Sequence, residues 1–189
     1  MRKWLSPLLA TLLAIVPLAH ATEGVRWTPA QADAWYARQG WLVGANYTTS
    51  NAINQLEMFQ ADTFDPAAID RELKWAHEQF GMNTMRVYLH DLLWKQDPQG
   101  FLKRVDTFLG IAEKNGIRPM LVLFDSVWDP DSALGPQRPP IPGVHNSGWL
   151  QTPTRDDLVD RSKDAHFEAY VKGVVGRFAD DRRVVVWDI

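Results

Sequence analysis

Residues 84–90 are predicted to form a strand with one apolar face and one face of polar side chains that could take part in chemistry. Side chains alternate along a strand, so Arg86, Tyr88 and His90 share one face, while the opposite face is apolar and suits a surface under helices. A buried arginine needs acceptors, because an unpaired buried charge is costly. Arg86 therefore either holds a carboxylate at a binding site or forms a structural salt bridge with a core acid such as Asp188.

Polar residues also stand at the ends of three successive predicted strands. Asn46 follows the first strand, His90 the second and Asp125 the third. The ends of parallel strands meet at one edge of a sheet, so these residues form a candidate polar site. His90 and Asp125 could instead cap the loops that follow them, and the sequence leaves both roles open. The five histidines lack metal-ligand spacing such as H-E-x-x-H, so we expect no metal site.

The elements that must position these residues alternate regularly. A capped helix is predicted from Thr28 to Gly40, and strands are predicted over residues 41–47, 84–90 and 119–124 and from Val184 onward. Three helices connect the strands. The side chains predicted to face the core are Ile69, Leu73, Ala76 and Phe80 in the first connecting helix, Phe101, Val105, Phe108, Leu109 and Ala112 in the second, Phe167, Tyr170, Val171, Val174, Val175 and Phe178 in the third, and Trp35, Trp75 and Trp187.

This alternation predicts an α/β fold with a parallel sheet. No G-x-G-x-x-G follows the first strand and no G-x-x-x-x-G-K-[ST] occurs, so the nucleotide-binding α/β folds lose support and no cofactor is expected. A (β/α)₈ TIM barrel fits better, and this chain supplies roughly its first four strands.

The first 21 residues have the pattern of a secretory signal peptide. Arg2 and Lys3 precede an apolar stretch, and Ala19-His20-Ala21 matches a cleavage site. We expect a mature domain over residues 22–189 that is periplasmic or secreted, with no stable membrane span after cleavage; a retained anchor is the alternative. The 23 acidic residues outnumber the 20 basic ones, which argues against a nucleic-acid partner, and the absence of cysteine excludes disulfides and a thiol nucleophile.

Five segments together resemble the cellulase-type glycoside hydrolases of family 5, which are (β/α)₈ barrels. They are Trp41–Tyr47, Asn83–Val87, Leu89–Asp91, Gly116–Pro119 and Val184–Ile189, and they extend over nearly the whole mature segment. The resemblance implies a retaining hydrolase of β-linked polysaccharides or oligosaccharides. Such enzymes use two closely spaced carboxyl groups, one as acid/base and one as nucleophile.

The resemblance also implies roles for residues of this chain. Arg86 matches an arginine that positions the nucleophile and stabilises its charge. The two catalytic glutamates are expected beyond Ile189, because the fourth strand stops before the expected Asn-Glu pair, so we expect a fragment that is inactive alone. Asp125 stands where many members carry histidine. The residues assigned to substrate binding are Asn46, His90 and Asp125 at the strand ends, and Trp128, His145 and Trp149 in the long loop over residues 125–153.

Two other classes of protein remain possible on the sequence. One is a carbohydrate-binding barrel without catalysis, which a changed glutamate after the fourth strand would indicate. The other is a different barrel enzyme, such as an aldolase or a metal-dependent hydrolase. Metal-dependent barrels commonly carry H-x-H on the first strand, where this chain has Gly44-Ala45-Asn46.

Overall fold

The computed structural model describes residues 26–189 of the chain. The chain divides into two compact units, residues 1–40 and residues 41–189. The signal peptide predicted over residues 1–21 lies outside the described residues. Among residues 26–189, no helix is both long and apolar enough to cross a membrane.

The described part of the first unit is a capped helix, α1, over Pro29–Gln39. The Thr28 hydroxyl accepts a hydrogen bond from the Gln31 amide at 3.3 Å, and the Gln31 side chain accepts one from the Thr28 amide at 2.8 Å. These bonds satisfy two amides that a helix start would otherwise leave without acceptors. Gly40 ends the helix at φ 69°. The helix predicted from Thr28 to Gly40 is confirmed.

The second unit is built on four parallel strands whose spatial order, β1-β2-β3-β4, equals their order in the chain. Helices lie in every connection, so the predicted α/β fold with a parallel sheet is confirmed, and it is compatible with part of an α/β barrel. The elements are β1 Gly44–Tyr47, α2 Gln55–Phe59, α3 Pro66–Phe80, β2 Thr84–Tyr88, α4 Asp91–Gln96, α5 Pro98–Lys114, β3 Met120–Val122, α6 Arg155–Val159, a 3₁₀ turn Arg161–Lys163, α7 Asp164–Phe178 and β4 Val186–Asp188.

One face of the sheet packs under the helices. Met85, Val87 and Leu89 are 4%, 0% and 0% exposed and belong to one apolar core. Complete burial of such side chains contributes about 1.5–3 kcal/mol each. The alternation predicted for β2 is therefore confirmed. The helices contribute the predicted core residues Ile69, Leu73 and Ala76 from α3, Phe101, Val105, Phe108, Leu109 and Ala112 from α5, and Tyr170, Val174 and Phe178 from α7, while Phe167, Val171 and Val175 are half-buried.

Two aromatic residues predicted to lie in the core are exposed instead. Phe80 is 70% exposed because it is the last residue of α3, where Gly81 (φ 63°) already turns the chain toward β2. Trp75 is 53% exposed, and the Arg71 guanidinium lies over its ring, 5.7 Å from the ring centre. The other two tryptophans are half-buried: Trp187 packs against the core, and Trp35 lies 6.2 Å from Trp27 within the first unit.

Two short helices occupy segments that the sequence predicted as loops. Their turns are local and are stabilised by side chains that precede them. Asn54 caps α2 by accepting a hydrogen bond from the Glu57 amide at 3.0 Å. His90 caps α4 by accepting one from the Leu92 amide at 3.2 Å. Helices this short have no long apolar periodicity, so pattern analysis does not detect them.

Candidate functional site

Arg86 lies on the face of β2 that is turned away from the helices. Its Nε donates to Asp188 Oδ2 of β4 at 2.7 Å, and one terminal nitrogen donates to the Tyr88 hydroxyl. The guanidinium also lies 4.7 Å from the centre of the Tyr88 ring. Of the two roles left open by the sequence, the structure thus contains the salt bridge with Asp188. The pair is only part-buried, with about a third of each side chain exposed, so it also faces a cleft.

The electrostatics of this pair keep Arg86 charged. Partial burial lowers the pKa of Arg86, but the hydrogen bond to Asp188 and the nearby charges outweigh it, so the net pKa is raised. Burial raises the pKa of the Tyr88 phenol, although Arg86 opposes the shift. The site therefore presents a permanent cation beside a protonated phenol across the physiological range.

Three aromatic rings, Tyr88, Trp149 and Trp128, form what we call the aromatic cluster. The Tyr88 and Trp149 ring centres are 5.6 Å apart, and those of Trp149 and Trp128 are 4.9 Å apart in an edge-to-face arrangement. The Trp128 indole donates to Asp125 Oδ2 at 2.7 Å. The two tryptophans singled out in the sequence are thus brought together, and β2 supplies a third ring that was not assigned to the substrate.

An open cleft of about 350 Å³, which we call the Arg86 cleft, lies beside the aromatic cluster. Its polar groups come from β2, from the segment after β3, from the end of β4 and from the end of the long loop, and its apolar groups come from Phe124, Pro153, Leu158 and Ile189. The lining residues are Arg86, Phe124, Asp125, Ser126, Gln151, Thr152, Pro153, Leu158, Asp188 and Ile189. The mixture of charged, amide and hydroxyl groups beside aromatic rings suits a polar ligand with apolar faces.

A larger open cleft of about 440 Å³ lies elsewhere in the second unit. Its walls are residues 50–53 and Glu57 on one side and residues 137–140 on the other. It contains none of the predicted site residues, and its carboxylate, Glu57, is held by the Ile53 amide at 2.7 Å. We favour the Arg86 cleft as the site because strand ends and charged side chains converge there.

Asp125 lies at the base of the long loop and also lines the Arg86 cleft. Its amide donates to the Thr152 carbonyl at 3.1 Å, and the Thr152 amide donates to the Asp125 carbonyl at 2.9 Å. The loop over residues 125–153 therefore returns to the strand end from which it started. The Asp125 carboxylate holds Trp128 and still lines the cleft.

His90 is completely buried and has the loop-capping geometry. Its Nδ1 accepts from the Leu92 amide, which places the proton on Nε2, 3.2 Å from the Gln151 carbonyl. His90 thus contacts the long loop and does not line the Arg86 cleft. The next residue, Asp91, is 1% exposed and accepts from the Thr152 hydroxyl at 2.6 Å and from His166 Nε2 at 2.9 Å.

We call His90, Asp91, Thr152 and His166 the Asp91 cluster. Burial raises the pKa of Asp91, but hydrogen bonds and charge from His90, Thr152 and His166 outweigh this and lower it to about 2. His90 Nδ1 also lies 3.2 Å from Asp91 Oδ1. Asp91 was not predicted as a functional residue, although two adjacent polar residues after an apolar strand were a usable signal.

Of the six residues assigned to substrate binding, Asp125 lines the Arg86 cleft, whereas Asn46, His90, Trp128, His145 and Trp149 do not. Asn46 is exposed on β1, in register with Arg86, so the two share a face of the sheet. His145 is exposed in the long loop. Neither residue lines the cleft, which begins at β2 and extends toward β4.

Val127, next to Trp128, has an unusual backbone conformation that the sequence did not predict. Its φ is 69°, a left-handed conformation that a β-branched residue rarely adopts, and its side chain is 84% exposed. Strained backbone of this kind clusters at functional sites. No sequence signal marks it, because valine has no preference for such a turn.

No family model, curated protein or solved structure matches this chain. Within residues 26–189, no three histidine, aspartate or glutamate side chains are grouped so that they could hold a metal ion.

Proposed function

We propose that this chain provides the first four strands of a (β/α)₈ glycoside hydrolase barrel and binds β-linked polysaccharides or oligosaccharides at the Arg86 cleft. The sheet supports the barrel because its spatial order equals its chain order. A doubly wound sheet reverses its strand order at a switch point, whereas a barrel does not. Export to the periplasm or the medium belongs to the same proposal.

The observation that carries the proposal is the aromatic cluster beside a polar cleft at the carboxyl end of the sheet. Sugar rings have apolar C–H faces and a rim of hydroxyl groups. The half-buried Trp149 and Trp128 rings lie beside the cleft and would supply apolar surface for the faces, while Arg86, Asp125 and Asp188 line the cleft and offer hydrogen-bonding groups for the rim. This combination fits a neutral, hydroxyl-rich ligand better than a purely ionic one.

The proposed reaction is a retaining hydrolysis with two carboxyl groups about 5 Å apart. We assign neither glutamate to a residue of this chain. Within the chain, Arg86 supports the reaction as a positioning residue, because its charge persists and Asp188 fixes its Nε. A fixed cation near a carboxylate keeps that carboxylate ionised and oriented, which is what a nucleophile requires.

A second candidate, a carbohydrate-binding barrel without catalysis, is favoured by one observation. Both carboxylates that line the Arg86 cleft are already engaged, Asp125 by the Trp128 indole and Asp188 by Arg86. The described cleft therefore offers binding groups without a free acid/base pair.

The two candidates separate in one experiment. Binding to soluble β-glucan, β-mannan and β-xylan is measured by affinity electrophoresis, and release of reducing sugar is measured with the longest natural protein that contains this chain. Binding with hydrolysis supports the hydrolase, and binding alone supports the non-catalytic protein. Failure to bind all three polymers contradicts both.

A further inference from the structure

The loop over residues 125–153 is attached through its return to Asp125 and also at the start of α2, where Asn54 and Gln55 donate to the Gly148 and Leu150 carbonyls at 3.0 and 2.9 Å. Backbone bonds join Asp125 to Thr152, and the Asp129 amide donates to the Trp149 carbonyl at 3.1 Å. Trp149 therefore belongs to a short limb, residues 149–152, that runs back alongside the start of the loop. The position of this limb determines where the Trp149 ring lies.

Two adjacent residues at the end of β2 hold this limb. His90 Nε2 donates to the Gln151 carbonyl, and Asp91 accepts the Thr152 hydroxyl at 2.6 Å. His90 and Asp91 are 0% and 1% exposed, so these bonds are shielded from water. Hydrogen bonds to a buried charge are among the stronger ones in proteins.

The other oxygen of Asp91 is held by a different element. His166 of α7 donates to Asp91 Oδ2 at 2.9 Å. One carboxylate thus joins the end of β2, the end of the long loop and a helix that follows that loop. Because α7 fixes the carboxylate from the second side, the limb is held in one place.

We propose that Asp91 is the positioning residue for the aromatic cluster. Through Thr152 it fixes the limb that carries Trp149, and it thereby sets the contact of Trp149 with Tyr88 and Trp128. The consequence for ligand binding rests on the proposed function, whereas the positioning itself is independent of any ligand. Asp91 acts from behind the site and contacts no substrate.

The test removes one hydroxyl and keeps the shape of the side chain. Thr152→Val loses the bond to Asp91, Thr152→Ser keeps it, and Thr107→Val is the matched control on α5, where the hydroxyl bonds only the Lys103 carbonyl of its own helix at 2.9 Å. Amide hydrogen exchange is measured at Asp125 and Thr152. Circular dichroism of the Trp128–Trp149 pair reports the aromatic cluster, since two coupled indoles give a signature that is lost when they separate.

Thr152→Val is expected to accelerate exchange at both amides about tenfold or more and to reduce the indole signature, with β2 and α5 unchanged. Thr152→Ser and Thr107→Val should match the wild type. Wild-type exchange and an intact indole signature in Thr152→Val would overturn the proposal. If Thr152→Val does not fold, Asp91→Leu replaces it. That variant keeps the approximate shape and removes both acceptor oxygens, and an unchanged loop in it overturns the proposal equally.

Ligand binding is a separate arm of the same experiment. Soluble β-glucan is the probe, and Thr152→Val should weaken its retention in affinity electrophoresis while Thr152→Ser restores it. If the loop loosens in Thr152→Val while the wild type binds none of β-glucan, β-mannan and β-xylan, the positioning role is supported and the carbohydrate function is refuted. A loosened loop with unchanged β-glucan retention would refute the link between them.

Discussion

Two charged clusters lie near the end of β2, one at Arg86 within the strand and one at Asp91, the first residue of α4, and they differ mainly in their access to water. The Arg86–Asp188 pair leaves about a third of each side chain exposed and lines a cleft. In the Asp91 cluster, Asp91 and His90 are fully buried and contact loop and helix. Residues near one strand end can thus either face a ligand site or hold the surrounding loop and helix in place, and their burial determines which of the two they do.

The largest effect is expected from Arg86→Ala on turnover. If the exposed cluster serves the proposed reaction, hydrolysis by the natural protein that contains this chain should fall about 10²- to 10³-fold, and KM should change much less. Steady-state kinetics measure this, with Arg71→Ala on α3 as the control. Full activity in a folded Arg86→Ala protein would remove Arg86 from the mechanism. Loss of folding would make the salt bridge purely structural.

Removal of the two carboxylates should separate the clusters by stability. Asp91→Ala leaves the buried Thr152 hydroxyl and His166 without their acceptor, and it should lower the free energy of unfolding by about 3 kcal/mol. Asp188→Ala removes a part-exposed pair and should cost less than about 1 kcal/mol. Urea unfolding of both variants measures the difference. Equal losses would show that burial does not distinguish the clusters.

Acid should weaken the buried cluster. The pKa of Asp91 is about 2 in the folded chain against a usual 3.8, so its contribution is complete above about pH 4 and is lost as the pH falls toward 2. The expected loss is about 2 kcal/mol. His90, His166 and the Tyr170 hydroxyl are the titratable groups that face this carboxylate. Between pH 5 and pH 2, the free energy of unfolding should depend less on pH in Asp91→Asn than in the wild type. An equal pH dependence in the two proteins would contradict the assignment.

The smallest effect is expected at Val127, near the start of the long loop. Val127 has a left-handed backbone that asparagine tolerates far better, so Val127→Asn should raise the free energy of unfolding by about 1 kcal/mol. Thermal unfolding measures the gain, with Val159→Asn as an exposed control in α6. A loss of stability would mean that the Val127 side chain makes contacts that outweigh its strain.

The fold was largely accessible from the sequence because its signals are local and periodic. Alternating apolar residues predicted β2, and helical spacing predicted the buried side of α5. The same spacing was wrong for Phe80, since periodicity does not say where the neighbouring elements end. The short helix α4 was missed because its cap, His90, is a residue type rarely used for capping.

The site was only partly accessible, because its residues meet through a loop that folds back on itself. Trp128 and Trp149 were chosen as side chains for sugar binding, and the structure brings them together. Their contact depends on Thr152 returning to Asp125, a pairing that no local pattern encodes. The role of Asp91 depends on His166, distant in sequence, so spacing alone could not identify it.

The most direct test of the account is the affinity of Trp149→Ala for β-linked oligosaccharides, with Trp75→Ala as the matched control. Trp149 belongs to the aromatic cluster, while Trp75 is exposed on α3 under Arg71. Calorimetric titration should show about a tenfold loss for Trp149→Ala, larger for a long oligosaccharide than for a short one, and no change for Trp75→Ala. Equal affinities of the wild type and Trp149→Ala would contradict the proposed carbohydrate site.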